Sequence, residues 1–205
     1  MRTLIIETST AACSVALADD GVIVARTHDV VGRGHAERLV PMIAALPGGG
    51  RADRILVDCG PGSFTGVRVG IAAARGLALG WGAEIAGFSS LPLIAAAAFS
   101  ERPTHDIAVV MEGGHGEVFM QAFSADLSPR TDMVSLRPDA ALAALAGRRA
   151  VGNGVRWLAA LDPALDFTEA LPDAAAAILL PDSLTALPPS PIYGRAPDAK
   201  PSVPK

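Results

Sequence analysis

Asp58-Cys59-Gly60-Pro61-Gly62-Ser63-Phe64-Thr65-Gly66-Val67-Arg68-Val69-Gly70 is the most distinctive stretch of this 205-residue chain. It is entered through Ile55 to Cys59, a continuous apolar run of the kind that fills a buried parallel strand. Gly60-Pro61-Gly62 breaks the strand, and helical sequence follows from Thr65 to Trp81. Ser63 or Thr65 can cap the helix by accepting a backbone hydrogen bond. Such a junction is either a structural turn or a receiver for an anion, because free amides and the helix dipole point the same way. Gly60, Gly62 and Ser63 are the candidates for that contact. The Gly-Lys-Ser/Thr of a P-loop is absent, however, and Thr65 stands where a dinucleotide fingerprint needs its last glycine.

The helix itself is punctuated by small residues. Gly66, Gly70 and Ala74 recur at every fourth position, and Gly76 and Gly80 repeat the spacing. An interior glycine costs about 1 kcal/mol relative to alanine, so several in one helix need a reason. A small-residue face lets another helix approach closely, with dispersion contacts offsetting the lost propensity. That neighbour can belong to this chain or to another. Arg68 and Arg75 lie seven apart, hence on one face, and either rim such a contact or stand in solvent.

Working outward, Thr3–Glu7, Ser14–Ala18 and Val22–Thr27 read as three short strands, the last two joined by the hairpin signal Asp19-Asp20-Gly21. Leu39, Met42, Ile43 and Leu46 then follow helical spacing, with a kink expected at Pro41. Beyond the central strand and helix, Ile85–Phe88 reads as a strand and Leu91–Phe99 as a helix. The second half opens with strands Ile107–Met111 and Glu117–Phe123. Helices are expected over Asp139–Ala146, Val155–Leu161 and Asp173–Leu180, with a short strand ending at Gly152-Asn153-Gly154. Prolines recur from Pro188 to Pro204, so the tail should be extended. This is an α/β plan of the ribonuclease-H-like type. We expect two small α/β lobes, over residues 1–102 and 103–187 with the second truncated, and a Pro-rich tail over 188–205.

Composition narrows the function. The formal net charge is −4, without a long basic run, and the aromatics are six Phe, two Trp and one Tyr. Independent grip on RNA relies on a basic surface and stacking platforms, so direct binding of an RNA, tRNA included, is disfavoured by this composition. Cys13 and Cys59 sit inside apolar runs and read as buried thiols of a reducing compartment. The longest uncharged apolar stretch, Ile85 to Ser100, is broken by Gly87, Ser89, Ser90 and Pro92. It is too short for the roughly 20 apolar residues that span a bilayer, and a cytoplasmic location is expected.

The central segment, together with Ala73-Ala-Arg-Gly-Leu-Ala78, resembles the signature of the TsaB family. Ile5-Ile-Glu-Thr-Ser-Thr10 and Cys13-Ser-Val-Ala-Leu17 are similar to the family's first hairpin, and His35-Ala-Glu-Arg-Leu-Val-Pro41 to its first-helix motif. Gly116-Glu-Val-Phe119 and Pro191-Ile-Tyr-Gly-Arg-Ala-Pro197 follow in order. The resemblance implies the fold of the actin, Hsp70 and sugar-kinase superfamily. It also implies a non-catalytic subunit that pairs with TsaD, the enzyme placing threonylcarbamoyl on adenosine 37 of tRNA, in a complex completed by the ATPase TsaE. The family's pairing surface is built from the first two helices. Placed on this sequence, it comprises His35, Leu39, Met42, Ile43, Gly66, Arg68, Gly70, Ile71, Ala74 and Arg75. A homodimer without TsaD, and an adenine nucleotide at the shared interface, are further expectations, with no cofactor of the chain's own.

The sequence departs from TsaD at its metal site, which needs two histidines four apart on a helix. Here His35 is followed by Leu39, which cannot ligate, so no metal is expected. Glu7 stands where superfamily nucleotide sites carry an acid that organises magnesium, and it is the remaining cofactor candidate. Gly152-Asn153-Gly154 is either a phosphate-facing turn or an ordinary loop. Two other functions compete: a small-molecule kinase or ATPase of the same fold, for which only one turn and Glu7 are visible, and a peptidase. For the latter, Ser63 lies outside any Gly-x-Ser-x-Gly elbow and no His-Glu-x-x-His exists.

Overall fold

The computed structural model describes residues 1–102 and 105–195. Strands β1 (Arg2–Glu7), β2 (Ala12–Asp19) and β3 (Val22–Val30) form the expected antiparallel meander. Asp20 and Gly21 take φ of 47° and 79° in the tight turn, which places Asp19 opposite Val22. β1 then pairs in parallel with β4 (Arg54–Asp58), and β4 with β5 (Glu84–Phe88), giving the order β3-β2-β1-β4-β5. The apolar run of β4 suits this place because both sheet faces are covered.

Side chains alternate between the two faces. Leu4 and Ile6 of β1, with Ile55 and Val57 of β4, pack under helices α1 (His35–Ala45) and α2 (Phe64–Trp81). Ile5, Leu56 and Phe88 face the other way, into a core shared with α3 (Ser90–Glu101) and the second sheet. α3 is buried at Leu91, Leu93, Ile94, Ala95, Ala96 and Ala98, as befits a helix sandwiched on more than one side.

The second sheet has the order β10-β9-β6-β7-β8, from β6 (Ile107–Gly114), β7 (Glu117–Phe123), β8 (Val134–Leu136), β9 (Arg149–Val151) and β10 (Phe167–Thr168). Ile107, Val109 and Met111 join the shared core, while Ala108 and Val110 face α4 (Pro138–Ala144) and α5 (Val155–Ala159). The architecture is mixed α/β with two five-stranded sheets.

Some elements differ from expectation. Pro41 sits inside the helix His35–Ala45. Residues Ala174–Leu179 form a 3-10 helix, not an α-helix. β8 and β10 carry no alternation long enough to read. Of the Pro-rich tail, residues 196–205 lie outside the described residues. The preceding Leu187–Arg195 forms a strap across the first sheet: Leu187 exchanges backbone hydrogen bonds with Gly87 (2.7 and 3.0 Å), and the Ile192 amide donates to the Cys59 carbonyl at 2.7 Å.

Candidate functional site

The small-residue face of α2 is filled from within the chain. A Cβ at Gly66 would fall on the Thr8 carbonyl oxygen, and one at Gly70 on Thr8 Oγ1 with Ile6 and Val57 behind it. Thr8 Oγ1 donates to the Gly66 carbonyl at 2.8 Å, so the helix is seated directly on the loop after β1. Ala74 is fully buried and Ile71 is 5% exposed, in the core beneath. The remaining expected pairing residues correct in the same direction. Leu39, Met42 and Ile43 are buried against the sheet, and His35 is buried with Nε2 2.9 Å from the Ala12 carbonyl. The apolar spacing reported a core face, because a helix lying on a sheet buries its most regular stripe.

What α1 and α2 present outward is a different set. Ala36, Val40 and Ala44 on α1, and Ala72, Gly76, Leu79 and Gly80 on α2, are all exposed. Val40 is 57% and Leu79 88% exposed, and nothing lies within 4 Å of where a Cβ would stand at Gly76 or Gly80. Small and aliphatic residues are thus exposed on two adjacent helices, beside the charged Glu37, Arg38 and Arg75, and exposed apolar residues of this kind are what a partner covers. The ion pair of Arg38 with Asp29 fixes α1 against β3 beside it.

The turn before α2 uses its own amides. Gly60 N donates to Asp58 Oδ1 (2.7 Å), Ser63 N to the Ser9 carbonyl (2.6 Å), and Gly66 N to Ser63 Oγ (3.2 Å). Ser63 is thus the helix cap, and Gly62 lies against Ser9 so closely that a Cβ would strike its carbonyl. Three amides of this junction, those of Gly60, Ser63 and Gly66, are thus taken up by the chain itself. Gly152-Asn153-Gly154 is likewise a packed loop: Gly154 N donates to Val110 O at 2.9 Å, and Asn153 Oδ1 accepts from Glu112 N at 3.1 Å.

Glu7 does not open onto a cleft. It is fully buried, with Oε1 accepting from the Ser9 amide and hydroxyl. Burial, then the charge of neighbouring Asp58, hold its carboxyl well above the ordinary range; burial also raises Asp58. Among the described residues no three His, Cys, Asp or Glu side chains converge as a metal site. Burial pushes the free thiols of Cys13 and Cys59 up to about 11, so both are protonated at neutral pH.

Sequence reasoning missed the strap. Arg68 lies over the Phe64 ring, 3.2 Å from its centroid, and donates to Tyr193 Oη at 2.7 Å; Arg75 donates to the Pro189 carbonyl at 2.8 Å. The two arginines of α2 therefore hold the chain's own strap. Their spacing along one helix face was legible, but the partner lay more than a hundred residues away. Arg68→Ala should lower stability by about 0.5–1 kcal/mol, the range of a cation–π contact at an exposed site. Urea unfolding monitored by circular dichroism would measure it.

Two α/β sheets about a shared helix, an opening meander, and a first sheet capped by paired helices define the two-lobed ribonuclease-H and actin-like class. Residues 27–134 match the family model described as TsaD, tRNA N6-adenosine threonylcarbamoyltransferase. The chain is 37% identical over 131 residues to tRNA threonylcarbamoyladenosine biosynthesis protein TsaB of Escherichia coli strain K12, covering 62% of this chain and 56% of the relative. It is 37% identical over 123 residues to the Haemophilus influenzae TsaB, covering 57% and 51%. YeaZ from Pseudomonas aeruginosa superposes with TM-score 0.76 at 25% identity, over 94% of this chain and 99% of that one. A second P. aeruginosa structure, described as similar to peptidase YeaZ, gives 0.78 at 26%, over 95% and 99%. The chain belongs to the TsaB family, within the TsaD-like group. It spans about half the length of the curated relatives it matches.

Proposed function

We propose that this chain is a non-catalytic subunit of the system that forms N6-threonylcarbamoyladenosine at position 37 of tRNA. It pairs with TsaD through the outward faces of α1 and α2, with TsaE as the further member and tRNA met only through the complex. The observation that carries this reading is the exposed face made by Ala36, Val40, Ala72, Gly76 and Leu79, on helices whose other face is fixed to the chain's own sheet. A self-complementary face of this kind also pairs two copies when TsaD is absent. The burial of Glu7 fits a subunit that positions its partner and leaves the chemistry, and any adenine nucleotide at the shared interface, to the complex.

The test is reconstitution. TsaD and TsaE assayed for tRNA modification with and without this chain should be active only with it. Equal activity without it overturns the scaffold role. Steady ATP turnover or proteolysis by the isolated chain overturns the non-catalytic part.

A further inference from the structure

β1 and β4 are adjacent parallel strands with Ile6 opposite Val57. The next residues, Glu7 and Asp58, therefore stand side by side, about one strand spacing (~4.8 Å) apart. Their exposures are 0% and 1%. Each carboxyl has one oxygen satisfied. Glu7 Oε1 accepts from the Ser9 amide at 2.6 Å and hydroxyl at 2.7 Å, and Asp58 Oδ1 from the Gly60 amide at 2.7 Å and the Ser90 hydroxyl at 2.8 Å. The other two oxygens, Glu7 Oε2 and Asp58 Oδ2, are buried and accept from no donor.

Two ionised carboxylates in this setting would be adjacent, uncompensated buried charges, each with a dry acceptor. The surroundings offer no relief. Asp173, ahead of the 3-10 helix that packs on the sheet, adds further negative charge at Glu7. Cys13 on β2 and Cys59 after β4 are neutral thiols at neutral pH. The loop after β1 supplies the Ser9 amide and hydroxyl and α3 the Ser90 hydroxyl, while the basic side chains Arg26 and His28 face Asp173, each at 3.9 Å. A single proton resolves both difficulties, since on one carboxyl it removes a charge and becomes the donor that the other's free oxygen lacks.

We propose that Glu7 and Asp58 bind one proton between them at neutral pH and act as a single acid–carboxylate unit that pins the two loops seating α2. Glu7 Oε1 and Asp58 Oδ1 accept two hydrogen bonds each, and the proton rests on Glu7, whose carboxyl burial and the charge of Asp58 hold well above the ordinary range. The loops so joined are the ones that touch the helix: Thr8 bonds to Gly66, and Ser9 O accepts from Ser63 N.

The pH dependence follows. Unfolded carboxyls release their protons near pH 4, whereas the folded unit keeps one to higher pH. Between those limits the native state holds one proton more, so stability falls as pH rises, by about tenfold in the folding constant per pH unit for a one-proton difference. Urea unfolding of the wild type, Glu7→Gln and Asp58→Asn from pH 5 to 9 tests this. Glu7→Gln puts a neutral amide donor where the proton sits. It should fold with a constant about tenfold or more above wild type at pH 8, with the slope reduced by one proton. Carbon-13 carboxyl NMR of the wild type should show Glu7 still protonated at pH 7, and this measurement decides the matter even where a variant fails to fold. Two carboxyl resonances that both ionise below pH 5, or a Glu7→Gln profile parallel to wild type, overturn the proposal.

Discussion

Gly66→Leu is expected to unfold the chain, with a loss of about 3 kcal/mol or more, because the new side chain has no space to enter. The Cβ alone would land on the Thr8 backbone oxygen, and backbone cannot rotate aside as a flexible side chain does. Gly70→Leu meets Thr8 Oγ1, Ile6 and Val57 and should behave similarly. Gly76 is the internal control. It lies on the same helix, is open to solvent, and Gly76→Ala should raise stability by about 0.5–1 kcal/mol through helix propensity alone. Thermal melts of the three variants check all of this together. Wild-type melting by Gly66→Leu would mean that α2 does not sit on the Thr8 loop.

Leu79→Asp is expected to abolish association while leaving the fold intact. Leu79 is 88% exposed, so it contributes little to the monomer, and a carboxylate there costs nothing until a partner removes its water. Burying an unpaired charge at the centre of an apolar interface should weaken binding about 100-fold or more, on the scale of interface hot spots. Val40→Asp on α1 should give a comparable loss. Sedimentation with and without TsaD reads the effect, and an unchanged melting temperature separates it from misfolding. Unaltered association in both variants would remove α1 and α2 from the interface.

The fold was largely legible because its signals were local. The Asp19-Asp20-Gly21 turn fixes the hairpin, the apolar run before Cys59 fixes a buried strand, and the glycine turn starts a capped helix, all within windows of a few residues. The candidate surface was not legible in the same way. Four-residue spacing identifies which side of α2 packs closely, but it carries no record of what packs there. The neighbour is Thr8, 58 residues earlier, brought in by the parallel pairing of β1 and β4. The true outward face carries weaker periodicity because solvent-facing positions tolerate many residues. The same limit hid the roles of Arg68 and Arg75, whose partners Tyr193 and Pro189 come from the far end of the chain. Glu7 was singled out for position in a superfamily pattern. Its burial beside Asp58 depends on strand register, which one sequence does not display.

The backbone bonds from Leu187 to Gly87 and from Ile192 to Cys59 also bear on the order of events at the ribosome. β5 emerges about a hundred residues before the segment that covers its edge, so the amino-terminal half waits with an open flank while the rest is translated. Ribosomes stalled near residue 180 would carry a nascent chain whose first half is collapsed yet still open to proteases and chaperones. Emergence of residues 187–195 would let it lock.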